Sequence, residues 1–281
     1  MPCETAITVS RILFGLLLVL PPHLSAQSTD SGSSTKPAEP TLNSILLHLQ
    51  RNLDTYRASI PNFFCDEHLV SNMYVRSRRY LHTTTDSIFR LKRSDSKNSN
   101  GLFLESRQIK TVDKRPAQDQ TLTGPAIFSG AFSNALRTVS LEFQSCYDYK
   151  LILHKRLHGL AVVVVDYRLK ESMRSNMNCP GPETNYGRAF VDPQTMRIVR
   201  LEQETPHHEI NSGVYGPWRW SIDYAQVILN NKTFWMPKKI TSKASSPAVA
   251  TDWLFTATYR NYHELTVTSR ILPGVNYDPK Q

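Results

Sequence analysis

The chain is 281 residues long, with 40 % hydrophobic, 10 % aromatic and 20 % charged side chains, and its formal net charge is +9. Enough apolar area is present to offset the entropy of ordering a chain, which excludes a wholly disordered polar protein. The 11 glycines and 17 prolines show no collagen-like or low-complexity bias, and no apolar run after the N-terminal region reaches membrane-spanning length.

The first segment reads as an export address. Arg11 precedes the apolar run Ile12 to Leu20, then Pro21-Pro22 breaks a helix, and Leu24-Ser25-Ala26 offers small residues for cleavage before Gln27. Residues 1–26 are therefore expected to be a signal peptide, cut after Ala26, leaving a periplasmic or secreted protein. The position after the cut is Gln27, not the cysteine that a lipid anchor requires. Residues 27–41 contain a single apolar side chain, Ala38, and read as a flexible leader. Residues 42–281 are then one domain.

Cys65, Cys146 and Cys179 survive processing. An oxidising compartment favours one disulfide and leaves one thiol over. All three pairings are open. Cys146–Cys179 is preferred because Cys179 lies in the loop-like stretch NMNCPGPE, which can adjust to meet a strand partner.

Leu42, Ile45, Leu46, Leu49, Leu53 and Tyr56 recur at helical spacing, with Thr41 as N-cap and Pro61 as terminator, so an amphipathic helix is predicted over about 42–58. Strands are predicted over 63–75, 79–91 and 102–112. A second short helix is predicted over 126–139, with Thr123 and Pro125 as start signals. The run LAVVVV at 160–165 has the stiff, β-branched character of a strand covered on both faces. Two hairpins follow: 186–191 and 196–202 around Asp192-Pro193-Gln194-Thr195, and 220–229 and 233–240 around Asn230-Asn231-Lys232. A last strand is predicted over 253–267. Neither a βαβ rhythm nor a long repeat occurs, so the fold class is α+β: an antiparallel sheet with helices on one side.

This order of parts, with GRAFVDPQTMRIVRLEQE at 187–204, PNFFC at 61–65 and FWMPKKI at 234–240, resembles the LolA-like half-barrels of outer-membrane lipoprotein sorting. It is also similar to a group of uncharacterised secreted bacterial proteins of that architecture. The resemblance implies a curved antiparallel sheet with both helices on its concave side, a greasy hollow that holds a lipid or acylated ligand, and no catalysis or cofactor. It supplies no residue-by-residue ligand set.

From the residues themselves, Trp220, Ile222, Tyr224 and Ile228, with Phe234 and Met236 across the hairpin, are the candidate lining of that hollow. Positions 76–115 hold 11 Lys/Arg against 4 Asp/Glu. Arg76, Arg78, Arg79, Arg90, Lys92 and Arg93 fall on the early strands and make a candidate basic surface facing an anionic membrane. Export and the lack of a reading motif exclude nucleic acid as a partner. The alternatives are a filled-core envelope module that binds glycan or protein, and a metal-dependent hydrolase using His207, His208 and Glu209. No HExxH or GxSxG motif supports the latter.

Overall fold

A computed structural model describes residues 39–94, 103–181 and 183–266. The expected signal peptide, the expected leader up to residue 38 and the end of the last predicted strand lie outside these residues. The elements from Pro40 onward make one compact unit.

Helix α1 (Leu42–Ser59) starts where Thr41 accepts the amide of Ser44 through its hydroxyl at 3.2 Å, satisfying one of the unpaired N–H groups of the first turn. It buries Ile45, Leu46, Leu49, Leu53 and Tyr56 along one stripe. Each such side chain contributes roughly 1.5–3 kcal/mol on burial, which gives the helix its place.

Eleven strands form one antiparallel sheet: β1 (Phe63–Val75), β2 (Arg78–Arg93), β3 (Phe103–Val112), β4 (Arg115–Pro116), β5 (Tyr147–Leu157), β6 (Leu160–Leu169), β7 (Tyr186–Asp192), β8 (Arg197–Asn211), β9 (Val214–Leu229), β10 (Lys232–Ser246) and β11 (Thr251–Glu264). Their order is β4-β3-β2-β1-β11-β10-β9-β8-β7-β6-β5, so among the described residues β4 and β5 are the edges and the sheet does not close. The sheet curls. Tyr56 of α1 meets Phe103 of β3 at 6.0 Å between ring centroids, and the same helix also touches β5. Strands β3 and β5 stand nine strand spacings apart, about 43 Å if the sheet were flat. A helix of 18 residues is only about 27 Å long and 10 Å wide. Both strands reach it only because the sheet bends around it.

The early strands, both hairpins and the stretch of four buried valines, Val162 to Val165, all occur where the sequence placed them. The 186–202 hairpin turns on Asp192, which accepts the amides of Gln194 and Met196 and the hydroxyl of Thr195. Gly187 in this hairpin has a packing reason. Tyr167 reaches over it to donate to the carbonyl of Glu202 at 2.7 Å, and a Cβ at position 187 would collide with both groups. The disulfide joins Cys146 and Cys179, and Cys65 is a buried free thiol.

The second helix is corrected. Residues 126–134 form an irregular strap, followed by 3-10 turns at Ala135–Val139 and Leu141–Phe143. The reason is a competing acceptor. Glu105 on β3 takes the amides of Gly130 (2.9 Å), Phe132 (3.1 Å) and Ser133 (3.0 Å), together with the hydroxyl of Ser133. Those N–H groups are the ones a helix would have paired internally. Ser71 adds a hydroxyl that both donates to and accepts from the backbone of Ala126, and Tyr56 donates to the carbonyl of Phe132.

Held this way, the strap presses Phe128 and Phe132 onto the inner face of the sheet. Phe132 stacks on Phe89 at 4.5 Å and meets Tyr259 edge-on at 5.0 Å, while Phe128 packs on Trp218, Trp220 and Phe255. Most of the concave side is thus filled by α1 and the strap.

Two stability predictions follow from these contacts. Glu105→Ala removes a charge-assisted acceptor from three amides and is expected to lower unfolding free energy by about 3 kcal/mol in urea titration; an unchanged midpoint would mean that the strap is held without it. Gly187→Ala forces Tyr167 off the Glu202 carbonyl and is expected to cost about 2–3 kcal/mol, read in the same experiment.

Candidate functional site

On the inner face a cavity lies unfilled at the end of the sheet where β8 begins and the β9–β10 hairpin turns. It encloses about 290 Å³ between α1 and the strands. Its walls are Leu49, Leu53 and Tyr56 from α1, Leu136 from the strap's 3-10 turn, and Ile198, Tyr224, Phe234 and Trp235 from the sheet. Helical periodicity delivers the first group and strand alternation the second, so the walls are apolar for the same reason that the core is.

Polar groups also border it: Thr55 and Ser59 donate back along the helix to the carbonyls of Arg51 and Thr55, Thr233 is exposed, and three others stand out. The Tyr224 hydroxyl is buried and has no hydrogen-bond partner among the described residues. Leaving such a group unpaired costs about 1–3 kcal/mol, which a polar atom of a bound molecule would recover. Burial and the neighbouring Tyr56 push its pKa well above the ordinary tyrosine value, so it is a neutral donor. Arg197 is half-buried at the cavity, and desolvation alone lowers its pKa from the usual arginine value. No ion pair to Arg197 exists among the described residues, in contrast to Arg200, which binds Glu202 at 2.6 Å and Asp223 at 2.5 Å. Lys232 lies exposed at the same cavity. Asn52 also borders the cavity, but its amide is engaged with the carbonyl of Met196 at 2.6 Å.

Of the six residues expected to line a hollow, Tyr224 and Phe234 border this cavity. Ile222 and Met236 are buried in the core, and Trp220 packs beneath Phe128. Ile228 is 67 % exposed and faces away. The β-bulge between Pro237 and Lys239 shifts the pairing, so that Phe234 opposes Val227 and the inward positions of β9 become Val227 and Leu229.

The basic residues separate as well. Arg76, Arg78 and Arg79 cap the β1–β2 hairpin, while Arg90, Lys92 and Arg93 sit towards the other end of a 16-residue strand, about 35–50 Å away along its length. Arg93 is fixed there by the carbonyl of Ile60 and the ring of Phe103. The six do not form one face.

The histidine cluster comes apart by strand alternation. His207 stacks on Tyr215, and His208 stacks on Trp218 while pairing with Glu183 at 2.8 Å. Glu209 accepts the amide of Gly213. Among the described residues, no group of three His, Cys, Asp or Glu side chains is placed to hold a metal ion.

Two further constellations were not foreseen in the sequence. Buried Glu67 accepts three bonds from Arg107, two from Nε and one from Nη2, and a fourth, at 2.6 Å, from Ser87; the guanidinium also lies over the Phe89 ring. The carboxylate and the guanidinium match one another, which holds β3 to β1. On the outer face, a trench of about 920 Å³ crosses seven strands from β5 to β11. Cross-strand register builds its walls, with Arg168, Tyr186, Glu204 and Arg219 on one side and Lys150, Asp166, Arg188 and Glu202 on the other. The ion pairs run along each wall, Arg219–Glu204 at 2.8 Å and Arg188–Asp166 at 3.1 Å. Hydrogen bonding from Arg219 holds Glu204 below its ordinary carboxylate pKa.

No family model matches the sequence, and no curated protein matches it. Solved structures align over most of the chain at low identity. One is a LolA superfamily protein from Nitrosomonas europaea, 10 % identical, covering 82 % of this chain and 96 % of its own, with a TM-score of 0.36. Another, from Vibrio parahaemolyticus, is described as an outer membrane lipoprotein-sorting protein domain; it is 8 % identical, covers 79 % of this chain and 95 % of its own, and has a TM-score of 0.34.

Proposed function

We propose that the protein is a non-enzymatic binding protein, working outside the cytoplasm, that takes an amphipathic anion such as a lipid or acylated molecule. The apolar tail enters the cavity beneath α1, and the anionic head meets Arg197 and Lys232. One observation carries this reading: an apolar cavity is bordered by a buried, unpartnered tyrosine hydroxyl and by a half-buried arginine with no counter-ion among the described residues. A fold that leaves both unmatched bears their desolvation cost until something binds. The Cys146–Cys179 disulfide supports an oxidising compartment.

The cavity volume lies at the small end of the range for ligand pockets, about 300–1,000 Å³, which favours a short or partly inserted chain. About six buried methylenes supply roughly 5 kcal/mol gross, and ordering the chain takes back part of that. Charge recognition by Arg197 therefore decides whether binding is useful.

Calorimetric titration with decanoate and with decanol tests the reading. Decanoate is expected to bind more tightly. Arg197→Gln should weaken it about tenfold and bring it level with decanol, and Ile198→Trp should fill the cavity and abolish both. Equal affinity of the native protein for acid and alcohol, or no binding of either, would overturn the proposal.

A second reading rests on the outer trench, which at about 920 Å³ is larger than the cavity beneath α1 and carries charged and hydroxyl side chains among its lining. It fits an envelope module that binds an extended glycan or protein segment across the strands. Glycan or peptide binding that survives Ile198→Trp and is lost on Arg188→Glu would favour it.

A further inference from the structure

Beyond the cavity, the opposite ends of the strands carry a surface of different character. Three connections meet there: Arg76-Ser77 between β1 and β2, Pro247 to Ala250 between β10 and β11, and Ser212-Gly213 between β8 and β9. The amide of Arg76 donates to the carbonyl of Ala250 at 2.8 Å, which ties the first two into one rim. Gly216, just beyond the third, lies against the backbone of Ser245 and Ser246, so this turn joins the same rim. Tyr224 is ten residues down β9 from its start at Val214, so the cavity lies about 33 Å away along the strand.

The rim exposes apolar and cationic side chains together. Tyr80 is 69 % exposed, Leu81 46 %, Val249 47 % and Tyr215 43 %. Arg76, Arg78 and Arg79 are all exposed, and none of them has an ion pair among the described residues. The nearby acids are already engaged: Asp252 pairs with Lys243 at 3.3 Å, and Glu209 accepts the Gly213 amide.

Local geometry favours this display over an economical turn. Arg76 and Ser77 both have positive φ, 47° and 63°, the conformation of a tight hairpin turn for which Asn-Gly is the unstrained choice. An arginine and a serine occupy it instead. Next to the turn, pairing jumps from Tyr74–Arg79 to Met73–Leu81, leaving Tyr80 as the extra residue of a bulge. Bulges re-aim side chains, and here Tyr80 and Leu81 both end exposed.

We propose that this rim docks on an anionic lipid bilayer. Arginine heads reach phosphates while their stems lie along the acyl boundary, and tyrosine rings suit the headgroup level. Leu81 and Val249 insert shallowly, and the three unpaired arginines supply the attraction to negative lipid. Cations beside solvent-exposed apolar groups at the tips distinguish this surface from the outer trench, where the ion pairs Arg219–Glu204 and Arg188–Asp166 run along the walls. The proposal is independent of the ligand reading, since no rim residue borders the cavity.

The test is vesicle flotation of protein purified from the extracytoplasmic fraction. It uses vesicles of equal parts phosphatidylglycerol and phosphatidylcholine, against phosphatidylcholine alone. The native protein is expected to float with the anionic vesicles and to be released as salt rises. Reversal of Arg76, Arg78 and Arg79 to Glu should weaken binding about 100-fold or more. Tyr80→Ser with Leu81→Ser should weaken it less but leave residual binding more salt-sensitive. A charge-matched control, reversing Lys92, Lys238 and Lys239 to Glu, keeps the same N-terminus and should bind nearly as the native protein does. No binding to anionic vesicles, equal binding to neutral ones, or equal loss in control and rim variants would overturn the proposal. So would undiminished vesicle binding by the Tyr80/Leu81 variant combined with full displacement by dextran sulfate, which would identify a soluble polyanion instead. Circular dichroism of each variant confirms that the sheet is intact.

Discussion

The Glu105 carboxylate takes three backbone amides and a hydroxyl from the strap between β4 and β5, and the inner face of the sheet depends on that capture. An open antiparallel sheet that bends around one helix has more concave surface than the helix alone covers. The strap supplies the missing contact area through Phe128 and Phe132, which pack against aromatic side chains of β1, β2, β9 and β11. Without a fixed backbone, such a loop would pay conformational entropy for every residue it ordered, with few internal hydrogen bonds in return. Glu105, Ser71 and Tyr56 share that task at three points of the strap.

Filling the concave side has a functional consequence. A sheet with an empty hollow would accept cargo along its whole length. Here a volume remains at one end, where among the described residues the Tyr224 hydroxyl has no hydrogen-bond partner and Arg197 no counter-ion, and a larger one lies on the outer face. Under the proposed function, specificity would rest on those few polar groups, and tail length would be limited by Leu136 and the helix stripe. The rim with the unpaired arginines lies at the far ends of the same strands, so ligand and bilayer would engage separate parts of one sheet.

Local chemistry was legible in the sequence, and long-range chemistry was not. Thr41 and the Leu42–Tyr56 stripe specify α1 through capping and periodicity, and Asp192-Pro193-Gln194-Thr195 specifies its hairpin, because each signal lies within a few residues of the structure it sets. The strap departs from the helix expected there because Thr123 and Pro125 are sound helix-start signals, but the amides of Gly130, Phe132 and Ser133 that such a helix would pair are claimed by Glu105, 25 to 28 residues upstream. Ile228 was misplaced because period-two counting does not register the bulge at Lys238 on the partner strand. Arg197 gave no signal at all, since its lack of a counter-ion is a property of the fold and not of its neighbours in the chain. The charge excess over 76–115 was visible, but the division of its arginines between two strand ends requires the length of β2.

The central physical claim is that the strap is a fixed part of the core, pinned by Glu105, and not a loop lying loosely over an open hollow. Amide hydrogen exchange at Gly130, Phe132 and Ser133 in the native protein tests it most directly. Exchange slowed nearly to the rate set by global unfolding is the predicted result. Exchange at these three amides as fast as in an unstructured peptide, with the strands still protected, would contradict it.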